Sequence, residues 1–189
     1  MKQAILFLAL TFFANAQAPT GEAPKPNNTP GIKNVDPQLH DDAIKLVEIS
    51  GVKERIQGGL PQMVEAGKKQ MMENCQACTP AFVDEWGKRM LERTNVNDFV
   101  DVYVRVYEKY FTDAEISELI ALRKASKQSQ TTGPSPLLKQ KLASVMPSVM
   151  ADTLGGCAQV GAKLGAEIGD EIGREHPEYM RKPDRLGKQ

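Results

Sequence analysis

Residues 161–173 read GAKLGAEIGDEIG, with Gly161, Gly165, Gly169 and Gly173 each directly following Val160, Leu164, Ile168 or Ile172. No other stretch constrains the fold as strongly. The polar and apolar residues fall at helical spacing, yet glycine in a helix interior costs about 1 kcal/mol relative to alanine, so the row costs roughly 4 kcal/mol. A domain is stable by only about 5–15 kcal/mol in total, so the row needs compensation. Without a Cβ, each glycine lets another helix backbone approach along the i±4n ridge. Cys157, one turn earlier, extends the same row of small residues. The row therefore packs against another helix of the domain, helix four or five, or forms an exposed seam for a second copy or a partner protein. A four-residue repeat drifts about 40° per step around a 3.6-residue helix, which suits one oblique crossing better than a long parallel dimer. Lys163, Glu167, Asp170 and Glu171 within the stretch argue against insertion into a bilayer.

The row closes a series of helical signals. Asp36-Pro37 reads as an N-cap with proline in the first turn, opening a helix that turns Ile44, Leu46 and Val47 inward and ends at Gly51. A second helix, from about Val52 to Glu73, carries Ile56, Leu60, Met63, Val64, Gly67 and Met71 on one face. Gly58, Gly59 and Pro61 predict a kink or restart within it. Thr79-Pro80 opens a third through Arg93, presenting Phe82, Trp86 and Met90. In the fourth segment Val100, Val102, Val104 and Val106 alternate as in a strand, while Asp98, Asp101, Arg105 and Glu108 form a helical polar stripe. A lone strand has no partner here, so the segment is predicted helical and central. Thr112-Asp113-Ala114-Glu115 is a capping box that starts a fifth helix burying Ile116, Leu119 and Ile120. A polar loop over 126–134 follows. Ser135-Pro136 then begins a last helix running to about Arg174, with a kink expected at Pro147. The fold class is all-α: a compact bundle of about six helices over residues 37–174, with a long, kinked, glycine-spaced C-terminal helix.

The ends carry a different message. Lys2, the apolar run Ala4–Phe13 and Ala14-Asn15-Ala16 have the order of a secretory signal peptide over residues 1–16, cleaved before Gln17. The run is too short to remain as a membrane anchor. Residues 17–36 are rich in proline and asparagine and read as a disordered linker, and residues 175–189 as a flexible polar tail. Lys plus Arg and Asp plus Glu balance at 24 each, which removes the electrostatic case for nucleic acid or an anionic membrane surface. With 41% hydrophobic residues, a real core is available.

Cys75-Gln76-Ala77-Cys78 is the one recognisable chemical motif. That spacing serves a disulfide, thiol exchange or half a zinc site, and Thr79 excludes haem attachment. Cys75 ends the second helix, where the dipole disfavours a thiolate; only Cys78 precedes a helix. An exported protein with these cysteines is expected to hold a structural disulfide. Which two of Cys75, Cys78 and Cys157 pair is open, and a zinc site would need Cys157 with His40 or His176. No cofactor is indicated. Neither histidine can be set beside a nucleophile, so no catalytic residue is assigned. Glu167, Asp170, Glu171 and Glu175 read as a solvated face, and Tyr103, Tyr107 and Tyr110 as core packing.

The run YEKYFTDAEISELIAL, followed by SPLLKQKLASVMP and the glycine-spaced helix, resembles bacterial domain-of-unknown-function family 2059. The likeness covers roughly Ile44 to Gly173, strongest at Phe111-Thr112 with Glu115. Loop 126–134 stands as an insertion relative to the family, and Leu138 occupies a position where its pattern has glycine. The resemblance implies an exported all-helical domain and brings no established activity. The expectation is a periplasmic or secreted domain that works by binding, structural support or envelope interaction, with a protein partner or a homodimer. A thiol-redox or metal-binding protein using Cys75 and Cys78 is the alternative, and a hydrolase a weaker third.

Overall fold

A computed structural model describes residues 37–128 and 133–180. The stretches expected to be a signal peptide (1–16) and a linker (17–36), residues 129–132 of loop 126–134 and the residues from 181 onward lie outside the described residues. Six α-helices follow one another: α1 (Pro37–Ile49), α2 (Val52–Asn74), α3 (Pro80–Arg93), α4 (Val96–Tyr110), α5 (Asp113–Lys127) and α6 (Pro136–Glu175). A 3-10 turn over Pro177–Tyr179 follows α6, and no strand forms among the described residues. The bundle is all-α.

Local chemistry sets the boundaries. Gly51 separates α1 from α2 in the left-handed region (φ 65°), which a side chain would strain. The Thr79 hydroxyl accepts from the Phe82 amide at 3.3 Å with Pro80 behind it, and the Asn95 side chain accepts from the Asn97 amide at 3.1 Å. At α5 the Thr112 amide donates to Glu115 Oε2 at 2.8 Å, completing a capping box. Ser135 caps α6, and its amide and hydroxyl donate to Glu118 at 2.6 and 3.0 Å, tying the start of α6 to α5.

The valine-rich segment is the helix α4, packed on α1, α2 and α6, with Val102, Val104 and Val106 buried. Asp98, Asp101 and Arg105 stay exposed. Neither proline breaks its helix. Pro61 lies inside α2 and Pro147 inside α6, so of the kink or restart expected near Gly58 the restart does not occur. Each proline removes one amide donor on an exposed turn, while apolar contacts on both sides hold the helix in one piece.

The buried residues form two clusters. The first joins Leu46 and Val47 of α1, Val52 of α2, the α4 valines, Phe111, Ile116 and Ile120 of α5, and Leu138 and Val149 of α6. The second joins Val64 of α2, Cys78, Phe82, Val83, Trp86 and Met90 of α3, and Ile168 and Ile172 of α6. Ile116, Ile168 and Ile172 are fully buried, each stabilising the fold by about 1.5–3 kcal/mol. Leu138, in the first turn of α6, is itself core.

Candidate functional site

The disulfide end is built from the α2–α3 link and the segment that follows α6. Cys75 caps the C-terminus of α2, and its sulfur is bonded to that of Cys78. Cys78 is only 5% exposed, while Cys75 is half-buried. The segment after α6 lies across this loop. Cys78 and Met180 pair as an isolated antiparallel bridge. The Tyr179 carbonyl accepts from the Thr79 amide at 3.3 Å and from its hydroxyl at 2.5 Å. Thr79 therefore both caps α3 and anchors the strap. His176 stacks on Tyr179 with ring centroids 4.6 Å apart. Residues 176–180, expected to belong to a flexible tail, are thus part of the folded domain. The correction has a physical basis: a backbone carbonyl and a 3-10 turn hold them, and neither leaves a mark in composition.

Cys157 sits apart from that pair. It is free and packs against the first cluster, and burial pushes its thiol up. The three cysteines therefore do not converge. His40 bonds Glu108 at 2.5 Å and His176 bonds Glu178 at 3.0 Å, so neither histidine joins Cys157 or the disulfide. Among the described residues no three His, Cys, Asp or Glu side chains are grouped to hold a metal ion.

The glycine row divides. A Cβ on Gly165 would lie 3.2 Å from the Trp86 ring, and Trp86 Nε1 donates to the Gly165 carbonyl at 3.0 Å. Gly169 faces Phe82 at 3.8 Å. Both partners belong to α3, so this half of the row packs on α3 and not on helix four or five. Gly161 and Gly173 have nothing within 4 Å of a Cβ. The close approach to α4 is made by Gly156, where a Cβ would lie 2.5 Å from Val102 Cγ1. Sequence reading missed Gly156 because it stands outside the four-residue repeat.

The acidic face of α6 is partly an interhelical ion-pair cluster. Arg89 of α3 bonds Glu85 at 2.7 Å and Glu175 at 2.7 Å, and Arg93 bonds Glu171. The Arg89 guanidinium holds the Glu85 and Glu175 carboxyls below the ordinary carboxylate range. The arginines carried no helical-spacing signal toward α6. Tyr110 donates to Asp152 at 2.8 Å, and Tyr103 and Tyr107 pack on the first cluster as expected of core tyrosines. A groove of about 360 Å³ runs between the start of α4 and α6. It sets Arg93, Arg105 and Lys163 among Asp98, Asp101 and Glu167, with Phe99, Val160 and Leu164 as its apolar part. No helix among the described residues is long and apolar enough to cross a membrane. Comparison with protein-family models, curated proteins and solved structures finds no match to this chain.

Proposed function

We propose that the chain is an exported helical domain, periplasmic or secreted, that acts by binding or structural support in the envelope and carries no catalysis of its own. The observation that supports this most is the Cys75–Cys78 disulfide, with Cys78 buried and Tyr179 and Met180 strapped over it. A disulfide built into a core fits an oxidising compartment. Thiol exchange asks for an accessible sulfur whose thiolate is stabilised, and Cys75 stands at a helix C-terminus, where the dipole opposes an anion. The resemblance to domain-of-unknown-function family 2059 belongs to the same proposal, supported by the cap that Thr112 and Glu115 build at α5. The partner is a protein or a second copy, since a chain with no net charge offers nucleic acid little attraction.

Intact mass of the protein recovered from an exporting host tests the reading, with thiol alkylation before and after reduction. The expected product begins at Gln17 and takes one alkyl group when denatured, at Cys157, and all three only after reduction. A retained leader, or Cys75 and Cys78 alkylated in an acid-quenched native sample, would overturn it. The second result would transfer the assignment to thiol or metal chemistry at that pair.

A further inference from the structure

The two apolar clusters alternate along the chain. Following the chain, the first cluster takes residues up to Ile56, the second takes Leu60 through Met90, the first resumes at Val100, and the second takes over from Leu164. The chain therefore crosses between them three times. The first crossing lies in α2 between Ile56 and Leu60, where Gly58 and Gly59 stand and where Pro61 removes the amide that would bond the Gln57 carbonyl. The second is the Thr94–Asn95 link between α3 and α4. The third lies in α6 between Val160 and Leu164, at Gly161.

The glycines at these crossings are not explained by packing. A Cβ at Gly58, Gly59 or Gly161 would have nothing within 4 Å, whereas Gly156 and Gly165 sit against Val102 and Trp86 inside the clusters. Both helices that span the two clusters thus carry unpacked glycines at the level where the apolar core is interrupted, although α6 has further unpacked glycines, Gly155 and Gly173, on either side of it. The groove lies at that level too, lined by Arg93 and Asn95 from the α3–α4 link and by Val160, Lys163 and Leu164 of α6. Its cations and anions balance, so its charge selects no ligand class; its position is the informative feature.

We infer that the molecule is built as two lobes that hinge about the plane through Gly58–Gly59, Thr94–Asn95 and Gly161, widening and narrowing this groove. Hinges are a few positions that absorb backbone rotation between bodies that stay packed, and these three segments are the covalent links between the lobes. The inference does not depend on where the protein is located or what binds it.

Distance measurements between spin labels test it in the mature protein. Ketone-bearing residues at the exposed positions Glu92 (second lobe) and Lys124 (first lobe) accept nitroxides without touching the cysteines. The native chain is expected to give a broad interlobe distance distribution, and the Gly58→Ala/Gly59→Ala/Gly161→Ala variant one narrower by roughly twofold, because added methyl groups stiffen both spanning helices. Gly173→Ala supplies the control: it adds a methyl group into open space in α6 but outside the plane, and leaves the width unchanged. A native distribution already as narrow as that of the triple variant overturns the hinge. So does equal narrowing by Gly173→Ala, which would reduce the effect to helix propensity.

Discussion

Gly156 and Gly161 stand in the same helix, and alanine at the two positions is expected to act in opposite directions. At Gly156 a methyl group meets Val102 Cγ1 at 2.5 Å, and Val102 is buried and stiff at χ1. Overpacking of that kind costs about 1–3 kcal/mol, more than the gain of about 1 kcal/mol in helix propensity. Gly156→Ala should therefore lower stability, while Gly161→Ala, with open space around it, should raise it by up to about 1 kcal/mol. Urea titration followed by far-UV circular dichroism checks both. A rise in both midpoints would mean that α4 and α6 stand further apart at Gly156 than the packing described here.

Among the elements, α5 and α6 are locked together by Glu115, which caps α5 and also bonds Lys141 of α6 at 2.5 Å. Burial pushes its carboxyl up, and Lys141 with the Thr112 amide and hydroxyl outweigh that and hold it below the ordinary range. Glu115→Ala removes the cap and the pair together and is expected to cost about 1–2 kcal/mol. Lys141→Met alone should cost less, and a double-mutant cycle should return a coupling of about 0.5–1 kcal/mol. Additive effects would show that the cap alone matters. Such devices were legible in the sequence. Thr79-Pro80, Thr112-x-x-Glu115 and Ser135-Pro136 marked helix starts within a residue of where they fall, because capping is chemistry between near neighbours. The polar stripe of α4 likewise outvoted its valine alternation. What could not be read was which helix meets which. Trp86 against Gly165 and Arg89 against Glu175 join residues that no local period relates. The strap of Tyr179 on Thr79 works through a carbonyl, which every residue possesses. The site was legible only as its motif: Cys75 and Cys78 stood out, while their burial and the separation of Cys157 depend on the tertiary fold.

For the whole molecule, acid is the condition that weakens the ion pairs within each lobe. Glu85 and Glu175 are held below the ordinary value of 4.5 by Arg89 in the second lobe. In the first lobe Asp152 is lowered by Lys109 and Tyr110, and Glu115 by Lys141 and Thr112 against its burial. A depressed carboxyl means that the folded state binds fewer protons than the unfolded chain. The stability it brings is therefore complete above the ordinary range and disappears as pH falls through the lowered folded values. Urea midpoints should be flat near neutrality and fall on acidification below about pH 4.5, less steeply at high salt because these pairs are largely exposed. Arg89→Met returns Glu85 and Glu175 toward the ordinary range and should flatten the acid slope only in part, since the first lobe keeps its own pairs. The molecule's single tryptophan, Trp86, packs in the second cluster, so its fluorescence follows that lobe, while far-UV circular dichroism averages over both. In the native chain the two signals should report one transition. In Arg89→Met near neutral pH, where the native pairs are at full strength, the fluorescence midpoint should fall further below its native value than the dichroism midpoint, because the lost pairs all lie in the lobe that Trp86 reports, and the difference should shrink toward pH 4. Coincident shifts would mean that the lobes unfold as one unit, with α2 and α6 transmitting the loss across the glycine plane.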